Sequence, residues 1–287
     1  MRRNSLISYS IPIVLTRKTP YGYGKYNGTT PKENDMKRIG VIMIWIVGAL
    51  VLIGMINFTP MVSLKTPGMQ AYESHGITVF AEREDEEEVE KIAGRIAESS
   101  ARVAGSLGDA DTEKIDVIIY PTSAALKRKT IGLVGMLLLP DWYIGKNTSD
   151  HVLITSPAKP GPQHTRESIE QAAVHEFVHV LTDRRNKTMG YWLKEGFALY
   201  LADQRPSIEA IRAERDITWE EYSKPNAIQF AEVGGYTLAF TLLQYLEEEY
   251  GWDTVLKFLE PENTFLSVTG KEKREVFEEW KNWLGSV

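Results

Sequence analysis

ESIEQAAVHEFVHVLTDR, residues 167–184, is the stretch on which the rest of the chain turns. Its apolar residues recur at helical spacing, with Phe177, Val178 and Leu181 on a face suited to burial. Within it, His175-Glu176-Phe177-Val178-His179 sets two imidazoles four residues apart. Side chains at i and i+4 leave a helix from one face. The pair can therefore bind a single Zn²⁺ at about 2.0–2.1 Å each, with Glu176 close enough to handle a coordinated water. A catalytic zinc site takes three protein donors plus water, so a third donor has to come from elsewhere.

Glu195 is the candidate, within Tyr191-Trp192-Leu193-Lys194-Glu195-Gly196-Phe197-Ala198 on a second predicted helix. Trp192, Leu193, Phe197 and Ala198 surround one carboxylate with apolar side chains. Facing inward it would be a costly unpaired charge, which coordination to a dication relieves. The plainer alternative makes Lys194 and Glu195 an ordinary solvated pair.

HEFVH at 175–179 and WLKEGFALY at 192–200 resemble the gluzincin metallopeptidases, with their thermolysin-like or peptidase-MA-like core, the second segment being similar to that family's WLxEGxA. The resemblance runs over residues 170–252. It implies an α+β, zincin-like fold: a small mixed sheet with the active-site helix in an upper lobe, and a mainly helical lower lobe. It implies zinc bound by His175, His179 and Glu195, with Glu176 as general base. It also implies a transition-state tyrosine, for which Tyr236, after Gly235, ranks ahead of Tyr200 and Tyr191. Where some gluzincins carry an Asp four residues beyond the glutamate ligand to orient a zinc histidine, this chain has Leu199. That leaves the histidines' hydrogen-bond partner unassigned. No motif for capturing a substrate amino terminus is present, which favours internal cleavage.

The implied chemistry is peptide hydrolysis by a zinc-activated water, Glu176 taking its proton and a tyrosine hydroxyl supporting the oxyanion. An extended substrate would add as a strand to a sheet edge, for which residues 142–155 are the candidate. The rival reading is a catalytically silent zincin-like module that binds a protein partner. His151 and His164 are read as loop or strand histidines, and Ala104-Gly105-Ser106-Leu107-Gly108 as a helix end rather than a serine nucleophile turn.

Upstream of the motif, residues 76–81 and 115–120 are β-rich, and the stretch 85–108 between them has helical spacing. The acidic cluster 85–88 reads as a solvated first helical turn. A short helix from Thr122 and two further strand-like runs, 136–139 and 151–155, complete a small mixed sheet. Downstream, 236–250, 252–259 and 271–285 are helical, with breaks at Gly251 and Pro261. The catalytic domain is thus expected over 75–287, after a stalk at 59–74.

Ile39–Ile56, IGVIMIWIVGALVLIGMI, carries no charge, and residues 39–58 are long enough to cross a bilayer core of about 30 Å. Lys37-Arg38 before it suits either a retained anchor or a cleaved export signal, which would leave the domain secreted. The run exceeds the roughly 7–15 residues of a signal's apolar region and no small-x-small site follows, so an anchor is favoured. Positive-inside bias then puts a tail at 1–38 in the cytoplasm and the domain outside the cell membrane. Met36 offers an alternative start that would remove most of the tail.

The charge distribution agrees. Of 33 Lys and Arg against 39 Asp and Glu, residues 1–38 hold eight basic and two acidic, a net of +6 within a total of −6, so the remainder carries −12. So acidic a body argues against a nucleic-acid partner, and the absence of cysteine excludes disulfide scaffolds, thiolate zinc sites and thiol nucleophiles.

Overall fold

The computed structural model describes residues 33–286 apart from 109, 140, 141, 224 and 225. The basic tail, up to residue 32, lies outside them. The chain divides into two compact units, residues 1–51 and 52–287. Helix α1, Glu33–Phe58, begins in the first and ends in the second, and residues 36–62 are long and apolar enough to cross a membrane.

The second unit is a mixed α+β structure, mostly helical, around one five-stranded sheet. The strands are β1 (Met69–Ser74), β2 (Ile77–Glu82), β3 (Asp116–Tyr120), β4 (Gly145–Asn147) and β5 (His151–Thr155), in the order β1-β2-β3-β5-β4. β2, β3 and β5 run parallel; β1 and β4 are antiparallel at the two edges. β3 reads as an unbroken apolar run because it is central and covered on both faces. Val117 and Ile119 face the main core with Val152 and Ile154, while Ile118 and Tyr120 face the opposite layer with Leu126 and Leu153.

Helix α2 (Glu86–Ser106) links β2 to β3 and packs with α4 (Arg166–Arg185) on the main-core face. Gly108 takes the left-handed backbone (φ 74) just past α2, so the serine-containing segment is indeed a helix end. α3 (Ser123–Leu138) covers the opposite layer. Beyond α4 come α5 (Tyr191–Leu201) and α6 (Gly235–Tyr250), packed on each other, and α7 (Lys273–Leu284), closed by the Trp192, Tyr222, Phe277 and Trp280 rings.

Three sequence expectations are corrected. Residues 69–74, read as stalk, form β1: MQAYES is mostly solvent-facing and carries no strong apolar signal, yet it pairs along its whole length with β2. The segment before it is also tied down, since Tyr120 Oη donates to the Leu64 carbonyl at 2.7 Å. Residues 136–138, read as part of a strand-like run, belong to α3, an apolar run of that length being unable to distinguish strand from helix. The 85–88 cluster is only half solvated. Asp85 and Glu88 are buried, taking a hydrogen bond from Ser156 at 2.5 Å and an ion pair from Arg166 respectively, and so pin α2 to β5 and α4.

Candidate metal centre

Helix α4 starts at a Thr165 and Ser168 capping box and carries His175 and His179 one turn apart on a buried face. α5 crosses it with Glu195 buried at 6% exposure. Glu195 Oε2 lies 3.4 Å from His175 Nε2 and 3.5 Å from His179 Nε2. Among the described residues, these three are the group of histidine and carboxylate side chains able to hold a metal ion. Lys194 instead pairs with Asp183, 2.7 Å away, so the solvated Lys194–Glu195 reading does not hold.

The donor set fits a metal. Donors about 2.0–2.1 Å from a tetrahedral Zn²⁺ stand about 3.3–3.4 Å from each other, close to the distances found here. Glu195 Oε2 is buried with no hydrogen-bond partner. Burial opposes ionisation of Glu195, yet the imidazoles of His179 and His175 outweigh it and hold the carboxyl well below its ordinary range. Burial likewise pulls the His175 imidazole down, and the facing Glu195 carboxylate more than reverses it. With both imidazoles neutral, as ligation requires, the cluster leaves one buried carboxylate charge for a cation to meet.

The hydrogen-bond partner that the sequence leaves unassigned is Gln204. Its Oε1 accepts from His175 Nδ1 at 2.7 Å, which leaves Nε2 to face the cluster. The end of α5 delivers it: Gln204 N donates to Leu199 O, Asp203 N to Tyr200 O, and Asp203 takes the left-handed backbone at φ 53, a Schellman turn. Gln171, one turn before His175, holds that turn by donating to the Asp203 carbonyl at 3.0 Å. Gln204→Ala is expected to weaken divalent-metal affinity by about 10–100-fold, measured by chelator competition, with Gln204→Glu retaining most of it.

Glu176 lies beside the cluster. Burial pushes its carboxyl up from the ordinary value, against the pull of His179, His175 and Lys146. The edge strand β4 runs past it so closely that a Cβ on Gly145 would stand 2.7 Å from Glu176 Oε1 and would push that side chain aside. Asn147 at the other end of β4 donates to Asp183 at 2.8 Å, and Lys194 donates to the same oxygen at 2.9 Å. One carboxylate on α4 therefore fixes both the edge strand and the helix bearing Glu195.

Of the three tyrosines, Tyr236 and Tyr191 share a hydrogen bond next to Glu195 and Glu176; burial first, then those carboxylates, raise Tyr191 to about 12 and Tyr236 further. Both stay protonated and able to donate. Tyr200 is committed elsewhere, hydrogen-bonded to Glu247 and stacked on Trp252. Trp142 meets Tyr236 edge-on at 6.0 Å. His164 hydrogen-bonds the Trp142 backbone and His151 engages Thr148; neither joins the cluster. No family model, curated protein or solved structure matches this chain.

Proposed function

We propose that this protein is a zinc-dependent endopeptidase of gluzincin type, anchored in the cell membrane by residues 39–58 with its catalytic domain, from β1 at residue 69 onward, outside. The observation that carries the reading is the convergence of His175, His179 and Glu195 at tetrahedral spacing with Glu176 alongside. A zinc ion held there supplies a Lewis acid and lowers the pKa of a coordinated water toward 7. Glu176 takes the proton, its raised affinity for one suiting a general base near neutrality. Tyr236, kept protonated, donates to the developing oxyanion, with Tyr191 orienting it through their shared hydrogen bond. β4, as the last strand of the sheet, offers its outer edge to an extended peptide beside Glu176.

The test is metal removal. The full-length protein in detergent should bind about one zinc per chain and cleave a mixed peptide library. Chelator should abolish cleavage and zinc should restore it. Stoichiometric zinc with no cleavage of any peptide would sink the enzymatic reading in favour of a silent partner-binding module.

A further inference from the structure

In α3, Ile131, Val134 and Leu137 are 38%, 51% and 79% exposed. They belong to IGLVGMLLL, residues 131–139, nine residues without charge. A face of this kind on an acidic, water-soluble domain needs an occupant.

The surroundings name it. α3 is docked on the end of the apolar α1 run, within the same compact unit: Asn57 Oδ1 accepts from Val134 N at 2.8 Å. α3 bends at Gly132 (φ 88), where a Cβ would stand 2.7 Å from the Asn57 carbonyl, so the bend and the docking depend on one glycine. Lys129 Nζ stitches α3 to the chain leaving α1, donating to Ser63 O at 2.8 Å and Lys65 O at 3.0 Å. Leu52, Ile53, Met55, Ile56 and Phe58, next to this junction, are all exposed or partly so. Charge agrees as well. Neither 36–72 nor 117–140 contains an acidic residue, whereas the exposed Lys65 and Arg128 lie there, in a chain whose remainder after residue 38 carries −12.

We propose that the exposed apolar face of α3 is a second bilayer contact, lying in the membrane–water interface next to the exit of α1, with the exposed Lys65 and Arg128 toward anionic headgroups. The proposal rests on α1 spanning the membrane. Interfacial helices sink about 5–10 Å into the headgroup boundary. Six residues, 139–144, join Leu138 to Gly145, which keeps the edge strand beside Glu176 within about 25 Å of the end of α3. The candidate site is then held near the bilayer, not at the end of a loose tether.

The chain's lack of cysteine allows a direct test. Full-length Ile46→Cys, Leu137→Cys and Ile228→Cys variants, each carrying an environment-sensitive fluorophore, are reconstituted in phosphatidylcholine–phosphatidylglycerol vesicles. Nitroxide lipids with deep or shallow quenchers are then added. Ile228, also apolar and 63% exposed, controls for the label. The expected result is deep quenching at 46, shallow quenching at 137 and none at 228. Deep quenching at 46 with none at 137 leaves the anchor standing and overturns the interfacial face. No quenching at 46 removes the anchor and this proposal with it. Equal quenching at 137 and 228 overturns the assignment to α3. Insensitivity at 137, with unlabelled Leu137→Cys oxidising to a disulfide-linked dimer, gives the face to a second copy and likewise overturns it.

Discussion

Glu176→Gln is expected to retain stoichiometric metal and lose peptide hydrolysis by at least about 10²-fold in kcat. The two carboxylate-to-amide consequences separate cleanly. Glu176 is not among the three residues whose donor atoms converge, so the metal site keeps its full complement. An amide of the same volume cannot accept the proton, and a positioned general base contributes typically about 10²–10⁴. Folding should not suffer: burial already disfavours the ionised Glu176 carboxyl, and a neutral isostere removes that cost. Zinc per chain and peptide turnover measured on the same sample, with thermal unfolding as a check, decide it. Hydrolysis close to wild type in a zinc-loaded, folded Glu176→Gln protein would rule out the proposed role of this residue.

The motif helices were legible because their information is local. The i, i+4 histidines of α4 and the apolar shell around Glu195 on α5 are periodic signals, and helix packing brings them together as expected. What the sequence concealed depends on the partner strand or on chain termination. β1 is an edge strand whose register comes from β2, not from its own alternation. Gln204 stands nine residues after Glu195 in a polar loop, and it reaches His175 only because α5 ends in a Schellman turn at a non-glycine residue. A usable hint existed: with Leu199 unable to orient a histidine, some polar side chain near the end of α5 had to. Residues 136–138 continue α3 although their short apolar run fits a strand equally well, because so short a run carries no period of its own.

Glu195→Gln should behave in the opposite way from Glu176→Gln, losing the metal first and activity as a consequence. The substitution keeps the volume of a residue that is 6% exposed, so packing on α6 is preserved. What disappears is the charge that holds a cation against burial, together with an anionic donor 3.4 and 3.5 Å from the two imidazoles. Losing the outer hydrogen bond of a ligand costs about 10–100-fold in affinity, and losing a ligand itself should exceed that. Ligand-linked stability gives an independent readout. Zinc at about 1,000 times its Kd stabilises the state that binds it by about 4 kcal/mol. Added zinc should therefore raise the unfolding temperature of the wild type and of Glu176→Gln by several degrees, and scarcely move that of Glu195→Gln. If Glu195→Gln kept tight zinc and the full thermal shift, the third donor would have to be another group, and the crossing of α4 and α5 would be packing alone.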